Sequence, residues 1–192
     1  GQLSLASGQG ALEVHHSGQG SISIDGWDGP VGIDSYQGPL RVQNVQGSLQ
    51  VSHFVGEAMI KDVKGSIHLA GHKGSAMVSG SKGSIEFDLD RSQLQISEFD
   101  GDLRGQSNHG SVEAELKSGS TVRVTTKKGD VSLRLPGSGA YVNLGTTEGN
   151  LFAPSYLSYK RLPSLKLIRG RLRGAKVGSV RVRTESGSIR LR

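Results

Sequence analysis

The chain has 192 residues, no cysteine and a formal net charge of +6. That length suffices for one continuous core, and the lack of cysteine excludes disulfides, thiolate metal sites and a thiol nucleophile. No stretch approaches the ~20 apolar residues of a membrane-spanning helix, and none has the pattern of a signal peptide.

Strand-like Leu3 and Leu5 follow directly on Gly1, so an N-terminal signal, transit peptide or anchor is expected to have been removed. From Gly20 onward, glycine recurs every nine residues at Gly29, Gly38, Gly47, Gly56, Gly65, Gly74, Gly83, Gly101, Gly110 and Gly119, with Ser92 in the only vacancy. So strict a period predicts a stacked solenoid. The second residue after each glycine is apolar (Ile22, Val31, Leu40, Leu49, Ala58, Ile67), and so is the fourth (Ile24, Ile33, Val42, Val51, Ile60, Leu69), broken only at Gly105. Two apolar positions separated by one predict a short strand buried on one face. A third apolar position stands two residues before many glycines, at Trp27, Tyr36, Val45, Phe54, Val63 and Phe99. Its odd offset calls for a corner, which glycine eases through positive φ.

Gly47-Ser-Leu-Gln-Val, Gly65-Ser-Ile-His-Leu and Gly83-Ser-Ile-Glu-Phe resemble one another, whereas Gly56-Glu-Ala-Met-Ile resembles Gly74-Ser-Ala-Met-Val. This alternation predicts an all-β, parallel, single-stranded β-helix or β-solenoid with about eighteen residues and two nine-residue strand units per coil. A three-strand coil ranks second. Right-handed winding is expected. About ten coils, each rising roughly 4.8 Å, would make a rod on the order of 50 Å long.

Beyond Gly129 the spacing loosens to ten at Gly139 and Gly149, with strands expected at Val131, Leu133 and Leu135 and at Tyr141 and Leu144. Residues 153–177 lose the repeat, which returns at Gly178 and Gly187. The reading is one domain, 1–192, with an excursion at 153–177. Because the excursion carries Leu157, Leu162, Leu165, Leu167 and Ile168, it is expected to pack back on the rod. The outward Met59 and Met77 offer it a docking surface. With strands at Leu3 and Leu191, neither end has an evident cap, which predicts either missing capping segments or end-to-end association.

Charge is polarised along the chain. Residues 1–120 hold 8 Lys or Arg against 14 Asp or Glu, and residues 121–192 hold 15 against 3. An acidic end and a basic end would favour head-to-tail contact. Arg181, Arg183, Arg190 and Arg192 alternate with inward aliphatics, so they should project from one or two neighbouring strands. Arg169, Arg171 and Arg173, with Lys160, Arg161, Lys166 and Lys176, would enlarge that surface. Guanidinium forks suit phosphate, sulfate and carboxylate groups; a solvated charged face is the plainer alternative. Nucleic acid is not expected, because no aromatic platform stands beside these arginines in the sequence.

Other chemistries are not supported. The fifth position after the glycines reads Asp25, Asp34, Gln43, Ser52, Lys61, Ala70, Ser79 and Asp88, so there is no calcium ladder. In a strand-and-turn context His68 and His72 do not share a face as they would on a helix, and they lack a third ligand, so no metal site is expected; His72 is expected in the interior column of Tyr36 and Phe54, and His15 and His16 on the surface. Glu86 with Asp88, or Glu113 with Glu115, could form a glycosidase pair, but alternate outward positions are routinely charged. No catalytic residue and no cofactor is assigned.

Val124-Thr-Thr-Lys-Lys-Gly-Asp-Val-Ser-Leu-Arg-Leu-Pro136 and Gly178-Ser-Val-Arg-Val-Arg-Thr-Glu-Ser-Gly-Ser-Ile-Arg-Leu191 resemble the closing repeats of a bacterial family of unknown function that carries an adhesin label. The resemblance spans essentially the whole chain. It implies a β-helical, exported, non-enzymatic protein and supplies no site residues. The expected function is an envelope or surface scaffold binding a protein or an anionic glycan or lipid. Alternatives are a mitochondrial structural or assembly factor and a polysaccharide-active enzyme.

Overall fold

The apolar pairs two residues apart form strands. A computed structural model describes residues 1–117, 121–135, 139–174 and 178–192, apart from the side chains of Ser35, Tyr36 and His53, and every regular element in it is β. Gly119, Pro136 and Lys176 lie outside the described residues. The first coils are β1 (Gln2–Gln9) with β2 (Leu12–Gln19), β3 (Ser21–Asp28) with β4 (Val31–Gln37), and β5 (Leu40–Gln46) leading into β6 (Leu49–Ser79). β6 and β7 (Lys82–His109) run on around the corners, followed by β8 (Val112–Leu116), β9 (Thr121–Lys128) and β10 (Val131–Arg134). The strands form two parallel ladders with a shared core. In ladder A, Leu3 pairs with Ile22, Ile22 with Leu40, and Leu40 with Ala58. In ladder B, Leu12 pairs with Val31 and Val31 with Leu49.

The result is a parallel β-solenoid of about seven turns from Leu3 to Val131. Successive turns are offset by eighteen residues at Leu40↔Ala58 and nineteen at Leu103↔Val122. Ile24, Ile33, Val42, Val51, Ile60 and Leu69 are essentially inaccessible. Each such burial stabilises by about 1.5–3 kcal/mol. Interior Gly105 has a packing reason: a Cβ there would run into the Phe87 ring one coil away.

The corners need two devices. Along one edge the glycines lie so close that a Cβ on Gly56 would come 2.8 Å from the carbonyl oxygen of Gly38. Along ladder A a second column is left-handed in each of the first six coils, at Ser7, Gly26, Asn44, Asp62, Gly80 and Glu98, with φ between 53° and 69°. This column, together with the glycine corner, reverses the pleat and turns Val45, Val63 and Phe99 inward. His72 does not join Phe54. In its coil the interior slot falls one residue earlier, at Gly71, where the Phe54 ring leaves no room for a Cβ; His72 points out and meets Asp90 at 3.2 Å.

After β10 the winding leaves chain order. β11 (Ala140–Thr146) and β12 (Leu151–Phe152) form a coil that does not pair with β9 and β10, and the gap is filled by the C-terminal β15 (Gly178–Ser186) and β16 (Ile189–Leu191). Thus Val122 pairs with Val180 and Val180 with Val142, while Val131 pairs with Ile189 and Ile189 with Leu151. Ladder A has ten levels, as expected, but only seven turns are wound in sequence. The strand expected at Tyr141 and Leu144 forms, with Tyr141 pointing out and Val142 and Leu144 taking the interior.

The excursion does pack back on the rod, but at its end and not on Met59 and Met77, which stay exposed. It forms an antiparallel hairpin, β13 (Ser158–Leu162) and β14 (Leu165–Arg171), with β14 paired to β11. Leu157, Leu167, Ile168 and Leu172 are buried there, and Lys166 donates to the Gly149 carbonyl at 2.5 Å. The C-terminal end of ladder B is therefore capped, contrary to expectation, because antiparallel β14 cannot extend the parallel stack.

Candidate basic site

Outward positions on one ladder stack at the strand spacing, so the register decides which charges meet. On ladder B, Arg104 pairs with Arg123, Arg123 with Arg181, Arg181 with Asn143, and Asn143 with Arg169. These four arginines, all exposed, form one outward row. Arg104 and Arg123 were not among the residues expected here. Their signal was the outward position between the two inward places of a strand unit, Leu103 and Gly105 for one and Val122 and Val124 for the other.

Arg183 stands beside the row. Its Nη2 donates to Asn143 Oδ1 at 2.9 Å and its Nη1 to the Asn143 carbonyl at 3.3 Å. The side chain crosses Gly145, where a Cβ would come 2.8 Å from Nη1. Burial, and then the positive charges of Arg169 and Arg181, hold this guanidinium below its ordinary range. No ion pair reaches Arg104, Arg123, Arg169, Arg181 or Arg183 among the described residues. Toward the other end the row changes sign, since His68 pairs in register with Glu86 and their side chains stand 3.8 Å apart.

Arg190 and Arg192 do not join this row. They lie outward on ladder A, where Arg190 pairs with Ser132 and Ser132 with Glu113. Arg192, Glu113, Ser132 and Arg190 line one shallow groove, so carboxylates already share that side. Arg171 and Arg173 occupy the capped end. Aromatic rings do stand beside arginines, contrary to expectation: Arg171 lies 5.8 Å from the Tyr141 ring, Arg173 5.0 Å from Tyr156 and Arg190 5.2 Å from Phe152. Strand pairing and the turn supply neighbours that are distant in sequence.

Three of the four candidate carboxylates have partners. Glu115 meets Arg134 at 3.9 Å, Glu86 meets His68, and Asp88 accepts from Gln106 at 3.1 Å. His72 and His109 both face Asp90, at 3.2 and 3.9 Å, and no group of three His, Asp or Glu side chains suited to a metal occurs among the described residues. His15 is exposed, whereas His16 is half-buried, with its Nε2 shielded from solvent. No helix among the described residues is long and apolar enough to cross a membrane.

Neither a curated protein nor a solved structure matches the chain. The family model described as Toastrack DUF4097 matches residues 1–192. A β-solenoid wound end to end agrees with that match, and the chain belongs to the Toastrack DUF4097 family.

Proposed function

We propose that the protein is a non-enzymatic, adhesin-like scaffold, exported to the cell envelope or surface, that holds an anionic partner on its basic half. The observation that carries this reading is the row Arg104, Arg123, Arg181 and Arg169, which has no carboxylate partner among the described residues. Unit charges one strand spacing apart, about 4.8 Å, repel by roughly 0.9 kcal/mol even in water. An uncompensated row therefore opposes folding and is relieved by an anion with several charged groups along the rod axis. Sulfate, phosphate and carboxylate groups all accept from guanidinium forks. The partners held by Glu86, Asp88 and Glu115 support a binding role over hydrolysis.

Dextran sulfate binding across a salt series tests this. Arg123→Ser, Arg169→Ser and Arg181→Ser combined should weaken binding at least ten-fold and flatten its salt dependence, whereas Arg190→Ser with Arg192→Ser should change it little. Equal affinity and slope in the first variant would overturn the reading.

A further inference from the structure

Seven large apolar side chains are exposed among the described residues, and five of them, Tyr141, Phe152, Tyr156, Tyr159 and Leu162, belong to the last coil and the hairpin that caps it. Residues 151–192 contain eleven Lys or Arg and a single acidic residue, Glu185. Aromatic and basic groups are interleaved at this end. Tyr141 and Phe152 sit outward on the two strands of the terminal coil, each beside an arginine, and Tyr156 sits under Arg173 in the turn before β13. All five residues of β13, Ser158, Tyr159, Lys160, Arg161 and Leu162, are exposed. Beyond β13 there is no further strand among the described residues.

Tyrosine places an apolar ring and a polar hydroxyl across an apolar-to-wet boundary, and lysine and arginine hold a charged head above an apolar stem. That combination at one end of a rod suits a lipid headgroup layer, where each cation near an anionic surface strengthens binding about five-fold. We propose that the β13–β14 hairpin and the last coil form a docking tip for anionic lipid bilayers, on which the rod stands end-on. This rests on the reading that the basic half takes an anionic partner. The arginine row runs along the side of the rod through Arg104, Arg123 and Arg181 and meets the tip only at Arg169 on β14, whereas the rest of the tip lies at the end of the rod. The charge complementarity and the crowding of exposed rings at this end favour a membrane over a protein.

Co-sedimentation with phosphatidylglycerol-containing vesicles, against pure phosphatidylcholine vesicles, tests the proposal on the full chain. Binding should require phosphatidylglycerol. It should fall at least ten-fold in Tyr159→Ser with Leu162→Ser and in Lys160→Ser with Arg161→Ser, while Arg104→Ser with Arg123→Ser keeps most of it. A second readout does not depend on those variants. With spin-labelled lipid in the vesicles, an added tryptophan in Tyr159→Trp should be quenched, and Trp27 near the opposite end should not. Sedimentation unchanged in the tip variants, or quenching of Trp27 alone, would overturn the proposal. Dextran sulfate binding through the row without any preference for anionic vesicles overturns the tip and leaves the scaffold reading intact. Binding to neither probe removes both, and equal binding to both vesicle types replaces the electrostatic tip by adsorption of its rings.

Discussion

Gly65 shows what the nine-residue period demands of one residue. Its φ is 152°, in a region that side chains rarely adopt, and a Cβ would run into the carbonyl of Gly47 in the neighbouring coil. Backbone strain of this kind costs about 1–3 kcal/mol before any clash. Gly65→Ala should therefore lower stability by about 2 kcal/mol or more, read from the urea midpoint. At Gly32 a Cβ would find its nearest atom 3.8 Å away, so Gly32→Ala should stay within about 0.5 kcal/mol. Asn44 makes a second demand. It holds φ at 56° and donates to Asp25 Oδ1 at 2.7 Å, while Gln43 donates to Oδ2 at 2.7 Å. These bonds, Asn44 first, hold the Asp25 carboxyl below its ordinary range. A depressed carboxyl contributes stability that is present above its unfolded pKa and is lost as pH falls through the folded one. Asn44→Ala should thus lower stability at neutral pH and lose less of it on acidification, as urea midpoints at neutral and acidic pH would show. The glycine period was legible in the sequence. The left-handed column was not, because Ser7, Gly26, Asn44, Asp62, Gly80 and Glu98 share a conformation but no residue type. Its trace was the return of Gly, Asn or Asp at four of these six places, residues that tolerate or form such turns.

At the scale of the strand, the core is built from complementary sizes on neighbouring coils. Phe87 fills the space left at Gly105, and Phe54 the space at Gly71. Gly105→Val should be strongly destabilising in thermal melts because the Phe87 ring is fully buried and cannot move aside. Phe87→Val combined with Gly105→Ala should recover only part of the loss in a double-mutant cycle, because the Phe87 carbonyl still meets the added Cβ. A periodicity reading treats Gly105 as a gap in an apolar column; only the neighbouring strand reveals its occupant. The same holds for a polar interior column on ladder B, where Ser107 pairs with Thr126, Thr126 with Thr184, and Thr184 with Thr146. Thr126 and Thr146 donate to the carbonyls of Gly129 and Gly187 at 3.2 and 3.0 Å, binding strand to corner. Because hydroxyl residues in a strand are as often outward as inward, nothing in the pattern marked these four as buried.

For the whole molecule the decisive feature is the C-terminal coil wedged between β9–β10 and β11–β12. In a solenoid, stability is approximately a sum over nearest-neighbour interfaces, so removing an end coil costs one interface and removing this one costs two. Deleting residues 178–192 should therefore release β11, β12 and the β13–β14 hairpin together. Hydrogen exchange should then accelerate across 140–171 while residues in β3 to β5 remain protected. Protection retained in β11 would show that the inserted coil is not what holds it. Pairing Thr121 with Ser179 also closes a far longer loop than the eighteen-residue turns before it, so this end should fold last.

The sequence by itself determined the repeat, the parallel two-strand coil and the concentration of basic charge toward the C-terminus. Those properties are periodic or compositional, and each follows from what a nine-residue unit must bury and where it must turn. Only the tertiary structure decided the order of the last coils, the cap on ladder B and the division of the arginines. Arg181 and Arg190 lie nine residues apart in one repeat yet on different ladders, whereas Arg181 and Arg123 are distant in sequence and adjacent in register. The period fixes which way a side chain points, but its neighbours across the sheet depend on which strand fills each level, and at this end chain order does not follow spatial order.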